Sequence, residues 1–435
     1  MKVAFATLGC RVNMYETEAM SELFIKEGHE IIPFNKIADV YIINTCTVTN
    51  MGDKKSRQMI NRARRKNENA VIAVVGCYSQ IAPKEISSIE GVDIVLGTRN
   101  KSKIVHYVNR FIEEKKQIIK VDDVLHNKIF DDLNIEEYQY KTRAFLKIQD
   151  GCNRFCSYCL IPYARGAVCS KEPKKVIEEV HKLAEHGFKE IILSGIHIAS
   201  YGFELKGNWN LIKILEEVNN VEGIERIRIG SIDPTFFTED VIKNISHMDK
   251  MCPHFHLSLQ SGCDETLKRM NRRYSTSEYR TVVQNLRKHI KDISITTDII
   301  VGFPGETDYE FNKTYEFLKE IELSKMHIFK YSPRSGTKAA KMQCQVDGKV
   351  KDIRSHKLIE LNEKLEKQFM QKYIGRNMEV LYEQKSKEHE GYYEGYTPNY
   401  IRVLSKMNDD VFIGKVLPTK LHNVDKEFMY GTINF

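Results

Sequence analysis

The amino-acid sequence predicts an α/β fold in three parts: a doubly wound N-terminal parallel-sheet domain, a partial (β/α)6 TIM-like barrel, and a small C-terminal all-β barrel. Three observations predict it. From residue 1 to about 110, short apolar runs alternate with amphipathic helical stretches, the pattern of a parallel sheet. From about 144 to 335 the same alternation resumes with longer units. From 377 onward only short β-prone runs remain, separated by turn residues. A chain of 435 residues also exceeds what one core usually serves, so several domains are expected.

In the first part, residues 3–8 read as a strand. Residues 16–27 read as a helix ending at Gly28, with Ala19, Met20, Leu23 and Phe24 at helical spacing. Further apolar runs lie at 40–44 and 70–75. Residues 113–143 are charged and weakly periodic, as a connection would be. In the second part, candidate strands at 145–149, 190–194, 226–230, 254–259, 294–301 and 325–331 alternate with helices at 174–186, 211–218, 239–246, 277–290 and 309–321. Six units suit a partial barrel better than a closed eight-unit barrel of ~250 residues. A long helix at 350–373 leads to five short strands, at 378–382, 391–396, 400–404, 411–415 and 427–433. Such a barrel suits RNA binding, with a structural β-cap as the plain alternative.

Composition narrows the class. Hydrophobic content of 42% with a single Trp fits a soluble globular protein, and no apolar run approaches the length of a membrane span. Residues 1–7 read as a strand and not as a signal peptide. Ten cysteines without a secretion signal suggest reduced thiols and metal ligation in a cytoplasm. The formal charge of +7 favours a polyanionic partner.

Cys152, Cys156 and Cys159 are the most informative residues. Their spacing can ligate three irons of a cubane cluster and leaves the fourth iron without a protein ligand, whereas closed electron-transfer clusters use four cysteinates. A zinc knuckle is the rival, though zinc sites favour paired Cys-x2-Cys units. A second triad emerges from topology. Cys10, Cys46 and Cys77 each follow a predicted buried strand, so they would converge at the carboxyl edge of one sheet. Three unrelated buried cysteines are the alternative. Cys169, Cys252, Cys263 and Cys344 lack ligand spacing and read as ordinary thiols.

Other candidates sit at barrel strand ends. Gly302, in a Gly-rich turn after the fifth strand, permits close backbone approach to a ligand. Ser258 and Gln260 end the fourth strand, and Ser194 and Gly195 the second, followed by His197 as a polar contact or a core histidine. Lys54, Lys55, Arg57, Arg62, Arg64, Arg65 and Lys66 could neutralise phosphates or form a solvated helix face. Tyr392, Tyr393, Tyr396, Tyr400 and Arg402 could stack unpaired bases or simply pack a barrel core.

Taken together, the two triads and the domain order resemble the methylthiotransferase family of radical S-adenosylmethionine (SAM) enzymes over essentially the whole chain. The segment Cys152–Cys159 with the following Leu160-Ile161-Pro162-Tyr163-Ala164-Arg165-Gly166 is similar to that family's cluster motif. The resemblance implies a methylthiotransferase N-terminal domain at 1–112, a linker at 113–143, a radical SAM partial barrel at 144–370 and a TRAM RNA-binding domain at 371–435. It implies two [4Fe-4S] clusters. One, on Cys152, Cys156 and Cys159, would cleave SAM reductively. The auxiliary one, on Cys10, Cys46 and Cys77, would carry sulfur that a second SAM methylates. Tyr158 would lie near the adenine of SAM, with Ser194, Gly195, Ser258, Gln260 and Gly302 as further SAM contacts.

Within the family, Thr7-Leu8-Gly9-Cys10-Arg11-Val12-Asn13 and Leu257-Ser258-Leu259-Gln260-Ser261-Gly262-Cys263-Asp264 look most like the branch acting on N6-threonylcarbamoyladenosine beside the tRNA anticodon. The isopentenyladenosine branch and the ribosomal-protein aspartate branch are the alternatives. A non-catalytic iron–sulfur RNA-binding protein is a rival from another class, separated by reductive SAM cleavage. Expected partners are a tRNA anticodon stem-loop, an electron donor such as flavodoxin and a sulfur source. No membrane is expected, and the protein should act as a cytoplasmic monomer.

Overall fold

A computed structural model describes residues 1–126, 128–133, 135, 142–407 and 410–434. Its first sheet is six-stranded and parallel, in the spatial order Glu30–Ile32, Lys2–Thr7, Val40–Thr45, Val71–Gly76, Ile94–Leu96 and Ile118–Lys120. Val40–Thr45 and Val71–Gly76 are buried at every position, which is why they read as unbroken apolar runs. Alternate residues feed two cores. Val3, Val40 and Ile42 pack with Met20, Phe24 and Val108 on one face, whereas Ala4, Tyr41 and Ile43 pack with Ile60 and Ala63 on the other. The strand order reverses between Lys2–Thr7 and Val40–Thr45, so the topological switch point of the sheet lies between the strands that precede Cys10 and Cys46. The three strands that the sequence reading did not find are three residues each, too short for a periodic signal.

One of those strands, Ile118–Lys120, lies inside the expected linker of 113–143 and pairs with Ile94–Leu96, which corrects that reading. Beyond it Val124, Leu133 and Ile135 are buried, the last two in the barrel core, and Asp131 accepts from the backbone N–H of Lys101 at 2.9 Å. Its charged residues alternate with apolar anchors, so the segment packs although it shows no period. Residues 127, 134 and 136–141 of that reading lie outside the described residues.

The barrel strands follow the expected order. Arg143–Lys147, Glu190–Ser194 and Arg226–Ile229 form one parallel sheet, and His254–His256, Ser294–Val301 and Lys325–Lys330 another. A parallel bridge between Ile232 and Leu257 joins them. After the helix Gly348–Gln371 come Asn377–Lys385, Tyr392–Tyr396, Arg402–Lys406, Val416–Asp425 and Phe428–Ile433, which close into a five-stranded barrel. The expected strand at 411–415 is instead a 3-10 turn at Asp410–Phe412, and Gly414 at φ +85° turns the chain before the real strand starts at Val416.

The C-terminal barrel is fastened to the large one by backbone carbonyls gripped by arginines. Arg226 donates to the carbonyls of Tyr396 and Glu379, both at 3.0 Å. Arg228 donates to those of Pro398 at 2.7 Å and Thr397 at 2.9 Å. Tyr400 stacks on His254 at 4.6 Å and on Tyr396 at 4.9 Å, beneath Arg228. The aromatic set expected to meet bases is thus used largely inside the molecule. Tyr393 is buried, Tyr392 packs edge-on against Tyr430, and Arg402 pairs with Glu394.

Gly166 marks a close approach between segments. It sits at φ +77°, and a Cβ there would lie 1.9 Å from the carbonyl oxygen of Val124. Gly166→Ala is expected to cost about 3 kcal/mol or more, read as a lower denaturant midpoint at unchanged slope.

Candidate functional site

The first cysteine triad is built by the carboxyl ends of three adjacent strands. Thr7 pairs with Asn44, Asn44 with Val75 and Thr45 with Gly76, so the residues that follow emerge side by side. Cys10 caps the helix Arg11–Lys26, Cys46 follows Val40–Thr45 directly, and Cys77 opens the helix Cys77–Ile81. Gly9 at φ +104° lets the first loop close on the second: a Cβ there would stand 2.8 Å from the Cβ and 2.9 Å from the Sγ of Cys46. Asn13, fully covered, donates to the carbonyls of Leu8 at 2.7 Å and Thr45 at 3.0 Å, which ties the two cysteine loops together. Arg334, from beyond the last barrel strand, donates to Thr47 Oγ1 at 2.7 Å and Asp53 Oδ2 at 2.6 Å and fixes the chain after Cys46.

The second triad lies in the loop after Arg143–Lys147, at the carboxyl mouth of the barrel. Backbone N–H groups of Arg154 and Ile161 face the sulfurs of Cys152 and Cys159 at 3.5 and 3.4 Å, and Arg272 Nη1 lies 3.3 Å from Cys156 Sγ. In the other triad the N–H of Val48 faces Cys46 Sγ at 3.5 Å, and Arg165 Nε faces Cys77 Sγ at 3.3 Å. Burial, reinforced by the neighbouring thiols, pushes Cys46 up to about 11 and Cys159 up to about 12. Bare thiols there stay protonated, and the charge that would turn them into thiolates must come from cations placed among them.

The donor set fits iron–sulfur clusters. Each triad offers three sulfurs, and those of Cys46, Cys77, Cys152, Cys156 and Cys159 already face N–H donors suited to thiolate acceptors. A tetrahedral zinc ion would need its sulfurs within about 4 Å of one another. Among the described residues no three His, Cys, Asp or Glu side chains are grouped to hold a single metal ion.

The second triad and one cysteine of the first border a cavity of about 800 Å³. Cys10 lies on its wall together with Cys152, Cys156 and Cys159. Of the sequence-predicted contacts, Tyr158, Ser194, Gly195, His197 and Ser258 line it. Gln260 and Gly302 are not part of that lining. Gln260 is buried in a backbone bridge to Ile299, and Gly302 turns beneath Lys351, donating its N–H to Glu306 at 3.0 Å. Cys169, Cys252 and Cys263 are buried single thiols and Cys344 is exposed.

Several residues that shape the site escaped the sequence reading. Asp233, on the cavity wall, is held well below the usual carboxylate range: burial opposes this, but the His197 hydrogen bond and the Arg272 charge outweigh it. Arg154 Nε lies 3.1 Å from His197 Nε2 on the same wall. Behind the first triad runs a buried charge cluster. Arg165 contacts both Glu16 and Asp150, Lys147 reaches Glu16 at 2.8 Å and Asp150 at 2.6 Å, Arg99 reaches Asp150 at 3.1 Å, and Lys101 pairs with Glu16. Glu16 is held well below its ordinary value although burial acts the other way, because Arg165, Lys101 and Lys147 surround it. One signal was available: Glu16 stands one turn before Met20 on the apolar stripe of its helix, where a carboxylate needs a buried partner.

Residues 2–97 match the uncharacterized protein family UPF0004, and residues 146–318 the radical SAM superfamily. The chain is 45% identical, over 96% of its length and 93% of the relative's, to the threonylcarbamoyladenosine tRNA methylthiotransferase MtaB of Bacillus subtilis. It is 36% identical, over 95% of its length and 93% of the relative's, to a tRNA-2-methylthio-N(6)-dimethylallyladenosine synthase of Clostridium botulinum. In fold it resembles the radical SAM methyltransferase TsrM of Kitasatospora setae, with a TM-score of 0.60 at 14% identity, over 78% of this chain and 76% of that one.

The close approach of Gly9 to Cys46 separates the two triads experimentally. Gly9→Ala displaces Cys46 and leaves the barrel loop untouched, so the reconstituted variant is expected to hold half the iron and sulfide of the wild type. Full retention of iron would contradict the placement of Cys46 in a cluster.

Proposed function

The chain belongs to the methylthiotransferase family of radical SAM enzymes, and we propose that it installs a methylthio group on C2 of N6-threonylcarbamoyladenosine next to the tRNA anticodon. The observation that carries this reading is the cavity that Cys10 of the first triad shares with all three cysteines of the second, supported for the substrate by the 45% identity to the Bacillus subtilis relative. When bound, the clusters and SAM supply a radical at the Cys152 side and a methylated sulfur at the Cys10 side. The chain's own residues position and enclose. Tyr158, Ser194, Gly195 and Ser258 stand on the wall beside Cys152–Cys159 and are assigned to SAM. Asp233, flanked by Arg272 at 3.7 Å and Arg154 at 4.0 Å, is an acceptor at that same wall for a cationic or hydroxyl group. The apolar packing of Tyr158 against Phe303 keeps water from that side of the cavity.

We assign tRNA backbone contact to the helix Asn50–Lys66, whose Lys54, Lys55, Arg62 and Arg65 are exposed and carry no ion pair among the described residues. This helix starts four residues after Cys46, so phosphates bound there bring an anticodon loop to the cavity mouth. A target base in a single-stranded loop is reached at less cost than one flipped from a duplex. The division at residues 112, 143 and 370 belongs to the same proposal, amended by the strand at Ile118–Lys120. So do RNA contact by the C-terminal barrel, a flavodoxin-type electron donor, a separate sulfur source, action as a monomer and a place in the cytoplasm. The chemistry consumes an electron and a sulfur atom that must be delivered to the chain.

Anaerobic incubation of the reconstituted enzyme with SAM, sulfide, reductant and tRNA, followed by nucleoside mass spectrometry, tests the reading. Threonylcarbamoyl-modified tRNA is expected to gain the methylthio group and isopentenyl-modified tRNA to gain none. Product on the second substrate alone would move the chain to the other branch. Replacing Lys54, Lys55, Arg62 and Arg65 together by Ala is expected to weaken stem-loop binding and to lower the slope of log Kd against log salt by up to about 3. An unchanged slope would remove this helix from the interface.

A further inference from the structure

One cation in the cavity lacks an anionic partner. Of the guanidinium and ammonium groups on its wall, Arg154 lies 4.0 Å and Arg272 3.7 Å from Asp233. Lys325 pairs with Glu366 at 2.8 Å and Glu427 at 3.1 Å, and Arg402 with Glu394 at 2.9 Å. Arg11 has no carboxylate among the described residues. Its Nη2 donates to the hydroxyl of Tyr400 at 3.0 Å, and its guanidinium stands 5.5 Å from the ring centre of Phe145. Tyr400 also receives Arg143 at 3.2 Å, so the phenol holds Arg11 in place and leaves most of its donors unused. Arg11 directly follows Cys10, at the sulfur-carrying end of the cavity.

The substrate named above supplies the missing anion. In N6-threonylcarbamoyladenosine the threonyl carboxylate is carried on N6 through the carbamoyl group, and C6, which bears N6, and C2 flank N1 on one edge of the base. A base that presents C2 towards Cys10 therefore brings its carboxylate to the same side of the cavity. A guanidinium braced by a phenol is suited to bidentate capture of that group.

We propose that Arg11 is the specificity-determining residue that grips the threonyl carboxylate of the modified adenosine. The assignment rests on the functional reading above and adds to it the residue that distinguishes this nucleoside from one with an uncharged N6 substituent. Tyr400, contributed by the C-terminal barrel, is its positioning residue.

The test uses synthetic anticodon stem-loops bearing the nucleoside as the free acid or as the threonine carboxamide. Both are offered to the full-length reconstituted enzyme, with binding and kcat/KM measured for each. The wild type is expected to prefer the acid by on the order of ten- to a hundredfold. Arg11→Gln should erase that preference, read as the ratio of kcat/KM for acid and carboxamide, while its iron content stays at the wild-type level. Arg11→Lys should restore most of the preference. Equal use of acid and carboxamide by the wild type would overturn the proposal without need of a variant, as would an Arg11→Gln enzyme that still prefers the acid. Failure of the wild type on every threonylcarbamoyl substrate would instead overturn the functional reading, and this assignment with it.

Discussion

Arg165 is the side chain on which the relation between the two cysteine triads depends. It lies six residues beyond Cys159 in sequence, yet its Nε faces the sulfur of Cys77 and its Nη2 reaches Asn13 Oδ1 at 2.5 Å. One guanidinium thus touches the N-terminal sheet edge while belonging to the loop that carries the barrel cysteines. It is fully buried, and its company is equally covered: Lys101 and Lys147 on one side, Glu16 and Asp150 on the other. Removing such charges from water costs several kcal/mol each, and their mutual attraction offsets this only in one arrangement. A sliding or tilting interface would leave a buried ion uncompensated. The cluster thereby holds the first domain against the barrel mouth in one orientation. With Arg99 included, cations outnumber carboxylates there, and the excess positive charge faces Cys77, where an anionic sulfur is wanted.

A similar logic operates at the opposite end. Arg226 and Arg228 alternate with Ile227 and Ile229 on one strand, so both guanidiniums leave the same side of the sheet and meet the carbonyls of the 396–398 turn. The aromatic stack His254, Tyr400, Tyr396 continues that contact into the cavity. The C-terminal barrel is therefore part of the cavity wall, and not solely an appendage that would meet RNA.

Much of this architecture was legible in the sequence because it obeys local periodicity. The strands that read correctly, such as 40–44 and 190–194, are continuous apolar runs, and the cysteines that follow them inherit a predictable position from the parallel topology. What escaped was held by pairs distant in sequence. Arg334 with Thr47, Arg165 with Glu16, and Arg143 with Tyr400 are separated by more than a hundred residues, and no pattern within a window encodes them. The strand at Ile118–Lys120 was hidden for another reason: three residues satisfied by a neighbouring edge need no alternation of their own. Tyrosines in the last domain were ambiguous in principle, since a phenol that packs and a phenol that stacks a base have the same composition.

The clamp by Arg334 also bears on how the molecule comes into being. Synthesis proceeds from the N-terminus, and domains tend to fold as they emerge. The six-stranded sheet is complete once residue 120 has left the ribosome, but Thr47, Asn50 and Asp53 wait for a partner nearly three hundred residues downstream. Until then the segment after Cys46 lacks its final restraint and the nascent domain exposes an unfinished edge. Shaping of the N-terminal site therefore waits for the delivery of a barrel residue, which makes the order of translation an order of assembly.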